Sequence, residues 1–236
     1  MILLFLSKHF ITNIPKIKIM KTLTALLTSL AISTTSCGGW LVQRLPENIP
    51  PDTIPASVKE YTHYVEEHHF HYAPADHPSL CAAYSGQYLE KEKVGVCDEF
   101  AMNALLHLLD QNDIPDLFLV SYHGLRDTKS KDCKGEMTNE MGHAFVAYQT
   151  TTKKWRSLSD GQDEQIEENT LEQLITTATK LYHFTTIQRI SAVPRNILQE
   201  KETREILLYA PPLEDISFYL GFLYNRYRIP IQQQQH

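Results

Sequence analysis

A chain of 236 residues, 42% hydrophobic and 21% charged, has the composition of an ordinary globular protein. Its net charge of −6, with no basic patch along the sequence, argues against nucleic acid as a partner. Roughly 200 residues beyond any targeting segment suffice for one sizeable core.

Residues 1–37 read as a targeting segment. Lys16, Lys18 and Lys21 are positive, Leu23 to Ile32 form a short apolar run, and Thr34-Thr35-Ser36 are small residues before Cys37. The apolar run is too short for a comfortable membrane span. Met20-Lys21 reads as a second translation start, which would make residues 1–19 a spurious extension. Cys37 in this setting resembles the lipobox of bacterial lipoproteins, with Thr34 where a leucine is usual. The resemblance implies lipid attached at Cys37 and a membrane anchor there. A cleaved soluble form and a retained anchor are the alternatives. The expected location is the cell envelope, as a membrane-anchored lipoprotein or a periplasmic or secreted protein.

Pro46, Pro50, Pro51 and Pro55 make residues 38–56 an extended spacer, and residues 57–236 a single domain. Ser57, with Glu60 three positions on, predicts an N-cap for a helix over 57–70, burying Val58, Tyr61, Val65 and Phe70. A short helix is expected over 81–90. The strongest helix signal runs from Cys97 to Leu109, where Phe100, Ala101, Ala104, Leu105, Leu108 and Leu109 recur at helical spacing. Asp116 to Tyr122 predicts a strand. Residues 123–141, polar and holding Gly124 and Gly135, predict a long loop. Strands follow at 143–149 and 155–158, joined by Thr151-Thr152-Lys153-Lys154. Glu164, Glu167 and Glu168 read as a solvated face. Thr170 with Gln173 opens a helix to about Lys180, and a strand is expected over 182–190. Phe218, Tyr219, Phe222, Tyr224 and Tyr227 belong to an aromatic C-terminal helix over 215–227, as core or interface.

Cys97 sits where chemistry is expected. Gly95 frees the backbone ahead of it, and the spacing puts the thiol at a helix N-terminus, where N–H groups and the dipole favour a thiolate. His143 lies in the strand-like Gly142-His143-Ala144-Phe145-Val146-Ala147-Tyr148, and Asp160 closes Trp155-Arg156-Ser157-Leu158-Ser159-Asp160-Gly161. Cys on a helix, His on one strand and Asp on the next is the order that thiol acyl transfer needs. Asp163 is a nearby alternative to Asp160. With His143 close, the thiol pKa would fall from about 8.5 to about 3.5–7.5. An oxyanion needs two donors; the Cys97 backbone N–H is one candidate, and Gln87, Tyr84 or Tyr88 could supply the other. With Cys37 lipidated and Cys97 a nucleophile, Cys81 and Cys133 remain as a possible disulfide in an oxidising compartment; two unrelated thiols are the alternative. His63, His68, His69, His71 and His77 cluster without the spacing of a tight metal site, so no metal and no cofactor is expected.

Gly95-Val96-Cys97-Asp98-Glu99-Phe100-Ala101, Leu105 and Leu108 with Ile114-Pro115, Gly142-His143-Ala144-Phe145, and Trp155 with Asp160-Gly161 together resemble the transglutaminase-like core of the papain-like thiol superfamily. The likeness spans roughly residues 84–165. It implies an α+β fold, papain-like or transglutaminase-like, in which a central helix carrying Cys packs on an antiparallel sheet carrying His and Asp. It gives Cys97 the nucleophile's place, His143 that of general base and acid, and Asp160 that of the residue orienting the imidazole. The stretch Asp110-Gln111-Asn112-Asp113-Ile114 departs from the family pattern after the helix.

The expected function is an exported cysteine peptidase or amidase, acting on a protein or peptide through a thioester. The alternatives are a transglutaminase with an amine acceptor, and a non-catalytic envelope binding module on the same fold. The membrane is a partner only through the anchor at Cys37.

Overall fold

The structure is a computed structural model that describes residues 53–74, 81–132, 134–211 and 216–230. The targeting segment with Cys37, most of the spacer, His77 and Cys133 lie outside the described residues.

Helix α1, Ala56–Glu67, buries Val58, Tyr61 and Val65 on one stripe. It starts two residues earlier than an N-cap at Ser57 predicts, with Pro55 in the cap position. Ser57 is turned to another use: its N–H and hydroxyl both donate to the Asp113 carboxylate, at 2.9 and 2.7 Å. Strand β1, His71–Tyr72, pairs in parallel with β2, Val94–Gly95. Between them, α2 covers Gly86–Glu92 and ends at Lys93 with a left-handed φ of 61°. Helix α3, Cys97–Leu108, is buried on nearly every side, as a helix at the centre of a core must be. Helices α2 and α3 cross at Gly86, where a Cβ would lie 2.5 Å from the Met102 carbonyl oxygen.

Six strands form one antiparallel sheet in the order β6-β5-β4-β3-β7-β8. They are β3 Leu117–Lys131, β4 Met137–Gln149, β5 Trp155–Ser159, β6 Gln162–Glu168, β7 Phe184–Pro194 and β8 Arg228–Ile229. Alternation along the strands divides the core. Leu117, Leu119, Ala144, Val146 and Tyr148 join the cluster of α1 and α3. Val120, Tyr122, Phe145 and Ala147 face the other way, against Leu174, Ile175 and Ala178 of α4, Leu171–Leu181. Thr170 caps α4 and Gln173 returns the bond, as the sequence predicts. Helices α5 Arg195–Leu198, α6 Lys201–Tyr209 and α7 Ser217–Arg226 complete the layer over the first face. The fold is therefore α+β with an antiparallel sheet.

The loop expected over 123–141 is instead a β-hairpin arm. β3 and β4 stay paired out to Lys131 and Met137, with a register shift between Leu125 and Ser130. Asp132 closes it by accepting the N–H groups of Lys134 and Glu136, at 2.8 Å each. Much of the arm's outer half is exposed, so ladder hydrogen bonds hold what composition alone reads as loop. Strand β6 was likewise hidden by its charges. Its carboxylates are half-buried and partnered, not a solvated face: Asp163 with Arg156, Glu164 with Ser157 and Glu168 with Thr177. In α7, Tyr224 is core while Phe218 and Phe222 are exposed. No helix among the described residues is long and apolar enough to cross a membrane.

Candidate active site

The nucleophile region is built around a buried carboxylate. Val96 is the extended residue before α3 and has no side-chain acceptor, so it cannot cap the helix itself. Glu99, two residues after Cys97, does the work. Its Oε2 accepts the Val96 N–H at 2.7 Å and its Oε1 accepts the Tyr84 N–H at 2.9 Å. Gly95 makes this possible, because a Cβ there would stand 3.0 Å from Glu99 Cβ and Leu89 Cδ1. Burial pushes Glu99 up to about 8, against the opposing pull of the two N–H donors. Neighbouring Asp98 is raised to about 6, also by burial, and accepts the Tyr224 hydroxyl at 3.1 Å.

Cys97 is 4% exposed and packs against Met141 of β4, with Tyr72 and Phe184 alongside. The helix start thus meets β4 two residues before His143. His143 is 3% exposed, stands opposite Tyr122 of β3, and lies against the Tyr182 ring with centroids 4.0 Å apart. Burial, and then the charge of Arg126, lower its pKa to about 3. The imidazole is therefore neutral at physiological pH.

His143 Nε2 is hydrogen-bonded to Ser159 Oγ at 2.9 Å, and so not to the Asp160 carboxylate expected to orient it. Strand alternation explains the difference. Ala147 pairs with Ser157 and Val146 with Leu158, so Ser159 shares the face of Phe145 and His143, and Asp160 follows it in the turn beyond β5. Asp160 has a φ of 49° in the turn to Gly161, and its Oδ1 is buried without a hydrogen-bond partner. Burial, with the Glu164 charge adding to it, raises Asp160 to about 7. Asp163, the alternative, accepts from Arg156 Nε and Nη2 at 3.1 and 2.6 Å and from the Tyr148 hydroxyl at 3.1 Å.

Behind Ser159 lies a polar chain that sequence reasoning missed. The Tyr182 hydroxyl is 2.8 Å from Ser159 Oγ and also hydrogen-bonds Glu164 Oε1. Ser157 donates to Glu164 Oε2 at 2.5 Å. Burial raises the pKa of both Glu164 and Tyr182. The alternating Ser157-x-Ser159 on β5 was the available signal.

Of the other predicted residues, Tyr84 and Tyr88 stack with centroids 4.4 Å apart. Gln87 is exposed and lines an open depression with Tyr88, Glu90, Lys91 and Ala210. Cys97 is not in that lining, so the depression does not bring Gln87 to the thiol. Cys81 is exposed; its expected partner Cys133 is outside the described residues. Among the described residues no three His, Cys, Asp or Glu side chains are grouped to hold a metal ion. His63 pairs with Glu67 at 3.1 Å, and His68 Nδ1 lies 2.9 Å from the Tyr64 carbonyl oxygen. Neither a comparison with protein-family models nor one with curated proteins found a match.

Proposed function

We propose that the chain is an exported thiol enzyme of the transglutaminase-like kind, hydrolysing an amide in a protein or peptide of the cell envelope. The observation that carries this reading is a buried Cys97 at the first turn of the central helix, packed on the strand that bears His143. The quoted motif likeness and the α+β antiparallel fold support it.

In this reading His143 is a neutral general base. It takes the thiol proton. Cys97 Sγ then bonds to the substrate carbonyl carbon and the carbonyl π pair moves to oxygen, met by the Cys97 backbone N–H. Collapse of that adduct breaks the C–N bond, and the amine leaves with the proton held on His143. Water then gives a proton to His143 and adds to the thioester carbonyl. The C–S bond breaks, the acid is released and the thiol regains its proton. An amine in place of water gives the transglutaminase alternative. Lipid at Cys37 would hold the domain at the membrane.

The test is amide hydrolysis in a peptide library, with Cys97→Ala and His143→Gln as controls. Cys97→Ala should abolish turnover, and His143→Gln should lower it about 10²–10⁴-fold. Activity unchanged in Cys97→Ala ends the proposal. The near-complete burial of the thiol favours one other reading, a binding module on the same fold. A partner retained equally by wild type and Cys97→Ala, with no hydrolysis by either, would select it.

A further inference from the structure

We infer that Arg189 and Arg228 form a carboxylate subsite beside Cys97, so that the amide to be cleaved lies close to an acidic group of the substrate, either an Asp or Glu side chain or a chain-terminal carboxylate. The inference deepens the proposed function, since it rests on Cys97 as the nucleophile.

The sheet register brings the two cations together. Arg189 of β7 stands opposite His123 of β3, and Ser191, two residues on, stands opposite Arg228 of β8. Arg189 and Arg228 are therefore diagonal neighbours on one face, where like charges repel. Burial, and then the charge of Arg228, lower the pKa of Arg189. Elsewhere Arg156 and Arg204 each meet a carboxylate. Among the described residues neither Arg189 nor Arg228 has one; Arg228 Nη2 donates to the Gln188 carbonyl at 3.1 Å. Of the acids nearby, Asp98 is buried against Tyr224, and Glu140 belongs to β4, one strand beyond His123 from Arg189. Two guanidinium groups left together in a chain of net charge −6 call for an anion, and their planar donor forks match a carboxylate.

The same face carries the nucleophile. Leu117 and Leu119 pack with α3, and alternation along β3 puts Ser121 and His123 on that side. The Tyr224 hydroxyl donates to Asp98 Oδ1 at 3.1 Å, one residue from Cys97, and also hydrogen-bonds the Ser121 side chain. The start of α3 therefore stands over Ser121. Cys97 packs against Met141 of β4. Two strand spacings of about 4.8 Å separate β4 from β7, which sets Arg189 roughly 10 Å across the sheet from Met141. That span is about three extended residues, or one residue with an acidic side chain. A carboxylate on Arg189 and Arg228 would leave a nearby amide carbonyl at the thiol.

The experiment is alkylation of Cys97 at neutral pH by three iodoacetyl probes: glutamate α-amide, glycylglycine with its free carboxylate, and the neutral glutamine α-amide. Labelling is read by mass spectrometry on the peptide that holds Cys97. In wild type at least one acidic probe should react about 10-fold faster than the neutral one, as a hydrogen bond to a charged group allows. The faster acid tells a side chain from a chain end. Arg228 is exposed, so Arg228→Gln leaves the fold intact and should remove most of the preference. Arg189→Gln should do the same, and Arg189→Lys should keep part of it. Equal rates for all three probes in wild type overturn the subsite, as does a preference that survives both Gln variants. A Cys97 that no probe labels also overturns it, because the subsite must open on the thiol. In an active enzyme, Arg228→Gln should raise KM for an acidic peptide about 10-fold with kcat little changed. Acid-selective labelling without hydrolysis of any peptide sinks the enzyme reading alone; equal labelling in a protein that hydrolyses peptides sinks the subsite alone.

Discussion

At the scale of single residues, Asp160 and Ser159 exchange the weights their chemistry suggests. Asp160 is a buried carboxylate with an orphaned oxygen, displaced upward to about 7. An amide of the same shape removes the charge without opening a cavity, so Asp160→Asn should leave turnover within a few-fold of wild type and hold or raise the urea midpoint above pH 7. Ser159→Ala, a smaller change on paper, strips Nε2 of its partner and should lower kcat. A steady-state comparison of the two variants decides it, and a collapse in Asp160→Asn alone would restore the carboxylate as the orienting group. Cys97 and His143 were legible because each sits in a recognisable element in the right order. Ser159 was not, because serine does not advertise a site and the useful fact was which sheet face it shares. Tyr182 and Glu164 reach it from elements further along the chain, a proximity that only the folded register supplies.

Among the elements, long-range ties decide what local pattern leaves open. Arg195, where β7 gives way to α5, donates to the carbonyls of Leu109, Gln111 and Ile114, with Nη1 to Ile114 O at 2.7 Å and Nε to Leu109 O at 2.9 Å. These are carbonyls at and just past the end of α3, which the helix cannot satisfy itself. Arg195→Ala should therefore cost about 2–3 kcal/mol in urea unfolding, more than a surface substitution. Gly86→Ala should cost about 1–3 kcal/mol, because its methyl meets the Met102 carbonyl at 2.5 Å and two helices must separate to admit it. An unchanged midpoint in either variant would show that the helix layer yields more easily than the packing implies. The buried stripes of α1, α3 and α4 were readable because burial writes a period into sequence. The hairpin arm and β6 were not: one lies beyond the core, and the other sets its carboxylates against partners seven to nine residues away in the adjoining strand and helix, a pairing that no single-element period records.

For the molecule as a whole, buried titratable groups make stability depend on pH in opposing directions. His143 falls from 6.5 to about 3, so the unfolded chain binds the extra proton and stability rises with pH between those values. Glu99 rises from 4.5 to about 8, and Asp160 and Asp98 rise from 3.8 to about 7 and about 6. For these the folded state holds the extra proton. Their contribution is complete below the unfolded pKa and is lost as pH climbs through the folded one. The two trends offset each other between about pH 4 and 6.5. Above 6.5 His143 is neutral in both states and the carboxylates act alone, Asp160 to about pH 7 and Glu99 to about pH 8. The urea midpoint should therefore fall from pH 6.5 to pH 8, where most proteins are nearly flat. Glu99→Gln should lower the midpoint at pH 6.5, because an amide nitrogen cannot accept the second of the N–H groups from Tyr84 and Val96. It should also flatten the decline toward pH 8, since no proton remains to be lost at that position. A decline of wild-type steepness in Glu99→Gln would place the titration elsewhere, with Asp160→Asn as the next variant to measure.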